Sequence, residues 1–121
     1  LTRNRDALVV PFTWFDEVDV DLDMGHGGPL ETSLLLARYP ELVREDRVEG
    51  AADGGADRWG DRVGKTNLAP DSAQFTENGT VGDPSDASAE IGREIERQAT
   101  DALQTLMTEL GERSLSTPPH R

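Results

Sequence analysis

The sequence predicts an α/β fold on three observations: a short β-branched and aromatic stretch near its start, and two later stretches whose apolar residues recur at helical spacing. A strand needs neighbours and each apolar stripe needs a partner, so one strand and two helices do not close an architecture. The 121 residues fit one domain by length. The expectation is therefore either part of a larger α/β domain or a chain that completes its core by association. The first residue is Leu1 and an apolar segment follows almost at once, which adds to the expectation that an N-terminal portion is missing.

The predicted strand is Ala7 to Phe15, ALVVPFTWF, with Pro11 ending it or placing it at an edge or bulge. An acidic stretch follows, and then a helix is predicted over Pro29 to Arg38. Pro29 suits the first helical position, Glu31 in the first turn favours the dipole, and Pro40 stops the helix. Leu30, Leu34 and Leu35 would form its buried stripe. From Arg47 to about Asp83 the chain turns to Gly, Asp, Ala, Asn and Ser, which predicts a long loop with a hairpin around Asn78-Gly79. Loops of that length are functional or disordered. Asp83 is the expected N-cap of the last helix, which carries Ile91, Ile95, Ala99, Ala102, Leu103, Leu106 and Leu110 and stops at Gly111. The tail, residues 114–121, is expected to be disordered.

Composition narrows the function. The 24 acidic residues against 12 basic ones give a net charge of −12, and Lys65 is the only lysine. A nucleic-acid partner is disfavoured because phosphate binding needs a basic footprint. The acidity reads either as disorder or, with lysine so scarce beside arginine, as the hydrated surface of a salt-adapted, halophilic protein. No apolar run approaches the roughly 18 residues of a membrane span, so no membrane partner is expected. The absence of cysteine excludes disulfides and thiolate zinc sites and fits a cytoplasmic setting.

The chemistry-bearing stretch is DVDLDMGHGGPLETS, Asp19 to Ser33. Its alternating carboxylates resemble an EF-hand loop, but counting from Asp19 puts Met24 where the invariant glycine belongs and Leu30 where the chelating glutamate belongs. Attention moves to His26, held among glycines ahead of a helix N-terminus. Gly27 and Gly28 permit close backbone approach of a ligand. An imidazole can shuttle a proton near neutral pH, and helix amides can hold an anion. Glu31 could orient the ring or bind an amine. Each residue also has a plainer reading: His26 as an exposed turn residue, Glu31 as a dipole-favourable first-turn acid, Thr32 and Ser33 as helix-start residues, Trp14 as core. Asn78-Gly79-Thr80 matches a glycosylation acceptor, a pattern short enough to arise by chance.

GHGGPLETSLLLARYPELVREDRV resembles the signature block of the creatininase (creatinine amidohydrolase) family, a His-Gly/Ala-Gly-x-x-Glu-Thr-Ser motif followed by a Leu-rich helix and Pro-Glu-Leu-Val. VVPFTWFD resembles the strand ahead of that block, and NGTVGDPSDASAEIGREI the Gly-x-x-Gly-Asp-Pro segment leading into the last helix. The resemblance implies a cytoplasmic, metal-dependent amidohydrolase with a three-layer α/β/α fold, often a hexamer, acting on a small-molecule substrate. It implies that His26 passes a proton to the leaving nitrogen, that Glu31 supports it, and that Trp14 closes over a planar substrate beside Gly27 and Gly28. Leu22 and Gly25 stand where creatininase itself has Trp and Glu, which puts creatinine specificity in doubt. The divalent ion, zinc or manganese, is expected from ligands outside this chain: a Glu-x-His pair, an Asp and a His-x-Glu pair of the N-terminal half. The sequence thus reads as a C-terminal portion, residues 1–113, inactive alone. The alternative is a non-catalytic remnant that folds only with a complementary chain.

Overall fold

A computed structural model describes residues 9–64, 66–69 and 71–113. Two helices make its frame. Helix α1, Pro29–Arg38, has the predicted bounds, with Pro29 in the first turn, Arg38 in the last and Gly28 at the N-cap. The long helix α3, Ala89–Glu112, packs across it. Between them lie a short helix α2, Val48–Asp53, and the antiparallel pair β1, Arg62–Val63, and β2, Thr66–Asn67.

The crossing of α1 and α3 is built on small residues. Gly92 is buried against the backbone of Ser33, where a Cβ would meet the Ser33 carbonyl oxygen at 2.0 Å. Close approach lets Leu30 and Ile95 bury, with Ile95 fully enclosed. Ser33 is buried too, and its Oγ accepts from the Ser88 N–H at 3.1 Å, which satisfies a hydroxyl that burial would otherwise penalise. Arg38 and Glu96 form an ion pair across the same interface. At about 1.5 Å per residue, α3 is roughly 36 Å long and α1 roughly 15 Å, so the C-terminal half of α3 overhangs. Leu103 and Met107 are accordingly exposed.

Several sequence expectations are corrected, among them that Leu35 belongs to the buried stripe of α1, since it is 43% exposed. Val9 to Phe15 is not a strand: residues 9–13 carry no regular element, and Trp14–Glu17 is a 3-10 turn. No described segment pairs with it, and Pro11 has no N–H to offer a ladder. Ala7 and Leu8 lie outside the described residues, as does the 114–121 tail. The described residues are mainly helical, with one two-stranded sheet, so three α/β/α layers are not visible among them. Asp83 caps a 3-10 turn, Pro84–Asp86, by accepting from the Ser85 N–H, while Ser88 caps α3 by accepting from the Ile91 N–H. Gly111 does not stop α3, which runs to Glu112.

The Gly-rich loop is ordered around Val81. Val81 exchanges both backbone hydrogen bonds with His26, at 2.9 Å each, and bridges Ala56 on its other side in the parallel sense. Instead of the expected hairpin, Asn78-Gly79 forms a turn whose Asn78 amide donates to the Gly50 and Ala51 carbonyls while its Oδ1 accepts from the Thr80 N–H. Thr76, buried, donates to the Thr80 carbonyl and accepts from the Gly79 N–H. These bonds fasten α2 to the segment carrying Val81.

Candidate active site

His26 is placed by its main chain. The bridge to Val81 fixes its backbone, and the glycines around it make that bridge possible: a Cβ on Gly25 would fall 1.8 Å from the Val81 carbonyl oxygen, and one on Gly28 2.7 Å from it. Gly27 turns the chain with φ +59°, a region that costs side-chain-bearing residues roughly 1–2 kcal/mol. Gly28 therefore has a packing reason for lacking a side chain, while Gly27 is exposed beside the ring.

Glu31 reaches back from the first turn of α1. Its Oε2 accepts from the Gly27 N–H at 2.5 Å, one residue further back than a capping box would. The same oxygen stands 3.6 Å from His26 Nδ1, beyond hydrogen-bond length but within ionic reach of a protonated ring. Thr32 donates its hydroxyl to the Gly27 carbonyl at 3.3 Å, closing the turn from the other side. The His26 side chain is 65% exposed. With Nδ1 facing a carboxylate, Nε2 is the nitrogen free to exchange a proton with a ligand.

The structure brings together His26, Glu31, Gly27 and Gly28. Trp14 stands elsewhere: its ring neighbour is Phe15, edge-on at 5.6 Å, and its 3-10 turn packs against α3. The indole beside His26 is Trp59, with ring centroids 6.0 Å apart and planes tilted 39°. Phe75 meets Trp59 edge-on at 6.1 Å. Trp59 was missed by sequence reasoning; the available signal was a large aromatic stranded in GGADRWGDR, with no apolar periodicity to make it core.

The acidic stretch ahead of His26 is tied to α3, since the Asp19 N–H donates to Gln98 Oε1 at 2.6 Å and Gln98 Nε2 donates back to the Asp19 carbonyl at 3.3 Å. No group of three or more His, Cys, Asp or Glu side chains with the placement of metal ligands occurs among the described residues. The described residues thus do not by themselves make a divalent centre. Nor is any described helix long and apolar enough to cross a membrane.

An imidazole fixed at its backbone, beside a carboxylate and mostly exposed, can exchange a proton with a bound ligand. The family model described as Creatinine amidohydrolase matches residues 3–107. The chain belongs to the creatininase family, which is an amidohydrolase family, generally metal-dependent and of α/β type. No curated protein and no solved structure matches the chain.

Proposed function

We propose that this chain is the proton-transferring portion of a creatininase-type amidohydrolase that hydrolyses a C–N amide bond in a small molecule. The observation that carries this reading is the contact between His26 Nδ1 and the Glu31 carboxylate in a ring that is mostly exposed. With Nδ1 beside the Glu31 carboxylate, His26 Nε2 delivers a proton to the amide nitrogen as water adds to the carbonyl carbon and the C–N bond breaks. General acid–base transfer of this kind contributes roughly 10²- to 10⁴-fold. The zinc or manganese ion of such an enzyme would be held by residues other than those described, because no ligand cluster occurs among them. Trp14, which packs toward α3, would cover substrate only from an assembled neighbour or after moving.

Assembly of several copies, a hexamer by family resemblance, is supported by exposed Leu35, Tyr39 and Leu42 and by the overhang of α3. The net charge of −12 supports a salt-adapted surface, and the lack of cysteine a cytoplasmic setting. The second reading, a non-catalytic remnant completed by another chain, draws on the same overhang and on the missing ligand cluster.

The two separate in one experiment. Hydrolysis of creatinine, a small formamide and a short peptide amide is measured on protein isolated from its own cells in multimolar salt, with bound metal quantified. The hydrolase reading expects turnover of at least one amide, lowered roughly 10²- to 10⁴-fold by His26→Gln with metal content unchanged. No turnover of any amide supports the remnant, and loss of metal in His26→Gln would make His26 a ligand instead.

A further inference from the structure

The aromatic contact beside His26 extends into a chain of contacts. Val81 separates His26 on one side from Ala56 on the other, and two strand spacings put those backbones about 10 Å apart. Trp59, three residues beyond Ala56, sends its indole back across that gap to the imidazole. Phe75 stands edge-on behind Trp59 and also lines a cleft of about 700 Å3, together with Ala56, Arg58, Asp61 and Leu68. The cleft has the size of pockets that hold whole ligands, roughly 300–1,000 Å3, and far exceeds what one small ring would fill. Its lining sets apolar Ala56, Leu68 and Phe75 beside charged Arg58 and Asp61, and Trp59, next to Phe75, is 40% exposed.

We propose that the substrate is an elongated amide, whose scissile bond lies at His26 and whose flat apolar tail runs over Trp59 and the edge of Phe75 to end in this cleft against Ala56 and Leu68. This rests on the amidohydrolase reading for the bond that is cut; the tail site stands on geometry alone. Trp59 and Phe75 are then specificity-determining residues, selecting length and flatness at a distance from the reacting atoms. Aromatic surfaces suit this task because stacked and edge-on contacts add to simple burial.

The test compares two probes that share one amide: N-methylformamide and N-(4-phenylbutyl)formamide, whose ring lies four methylenes from the nitrogen. Dissociation constants are read by calorimetry and by quenching of tryptophan emission, and kcat/KM is read in parallel. The aryl probe is expected to bind at least tenfold more tightly. Trp59→Ala and Phe75→Ala should each remove about tenfold of that advantage, and Trp59→Phe should restore most of it. Circular dichroism of each variant guards against misfolding. Equal affinity for both probes, or an advantage that survives Trp59→Ala, would overturn the tail site while leaving amide turnover intact. Aryl-probe binding with the expected dependence on Trp59, but with no amide hydrolysed, sustains the tail site and defeats the hydrolase reading.

Discussion

Gly92 on α3 lies directly against the carbonyl of Ser33 on α1, so closely that a methyl group would sit 2.0 Å from its oxygen and 2.8 Å from Ala37 Cβ. Helix propensity alone would make Gly92→Ala stabilising by about 1 kcal/mol. The clash is with backbone and outweighs it. We expect Gly92→Ala to cost about 2–3 kcal/mol through overpacking, seen as a lower urea midpoint. A higher midpoint would mean the helices do not cross there.

Gly25 makes the corresponding contact for the site, facing the Val81 carbonyl oxygen. Gly25→Ala should open the bridge between His26 and Val81, raising hydrogen exchange at both amides while leaving α3 protected. Unchanged exchange at His26 would show that the bridge does not hold the ring.

Glu31 combines two contacts that substitution can separate. Glu31→Gln retains an acceptor for the Gly27 N–H but removes the charge facing His26 Nδ1, so stability should hold within about 0.5 kcal/mol while amide turnover falls. Glu31→Ala should lose both, costing about 1 kcal/mol for the vacated N–H. If turnover is equal in all three proteins, the carboxylate does not support the ring.

Glu94 supplies a pH dependence. Side-chain hydrogen bonds from Arg97 and then Gln98 hold its carboxyl down to about 2, and the Arg97 guanidinium is raised in turn. A carboxyl depressed in the folded state contributes stability that is fully present above its unfolded pKa, about 4.3, and is lost as pH falls toward 2. Helicity of α3 should therefore decline across that window, and Glu94→Gln should flatten the decline; an unaltered acid profile in Glu94→Gln would assign it to other carboxylates.

Asn78 bonds the Gly50 and Ala51 carbonyls at 3.2 and 3.0 Å while accepting from Thr80. Asn78→Asp keeps the acceptor and loses the donors, so it should destabilise by about 1–2 kcal/mol. The same engagement ties up the side chain of the Asn-Gly-Thr pattern in the folded protein. Stability equal to wild type would show that α2 does not depend on this clamp.

How much of this was legible follows from the range of each interaction. Helix α1 was readable because its signals are local: Pro29, Glu31 and Pro40 mark its limits within a dozen residues. The stripe of α3 was readable for the same reason, but its start was not, since Asp83 and Ser88 are both good caps and Ala87 between them is extended. The expected strand failed because pairing is a property of two segments, and no described partner lies beside Val9 and Val10. Of the site, His26, Glu31 and the glycines sit within six residues and were read together. Trp59 lies far along the chain and reaches His26 only because Val81 is interposed, a relationship no spacing encodes.

Residues 80–82 accept and donate on both flanks at once, to His26 on one and Ala56 on the other. The backbones of His26 and of Ala56, three residues before Trp59, thus hang from a common rail of peptide groups. Substitutions at Leu68 or Gln74 can therefore reshape the cleft without disturbing the peptide hydrogen bonds that position His26.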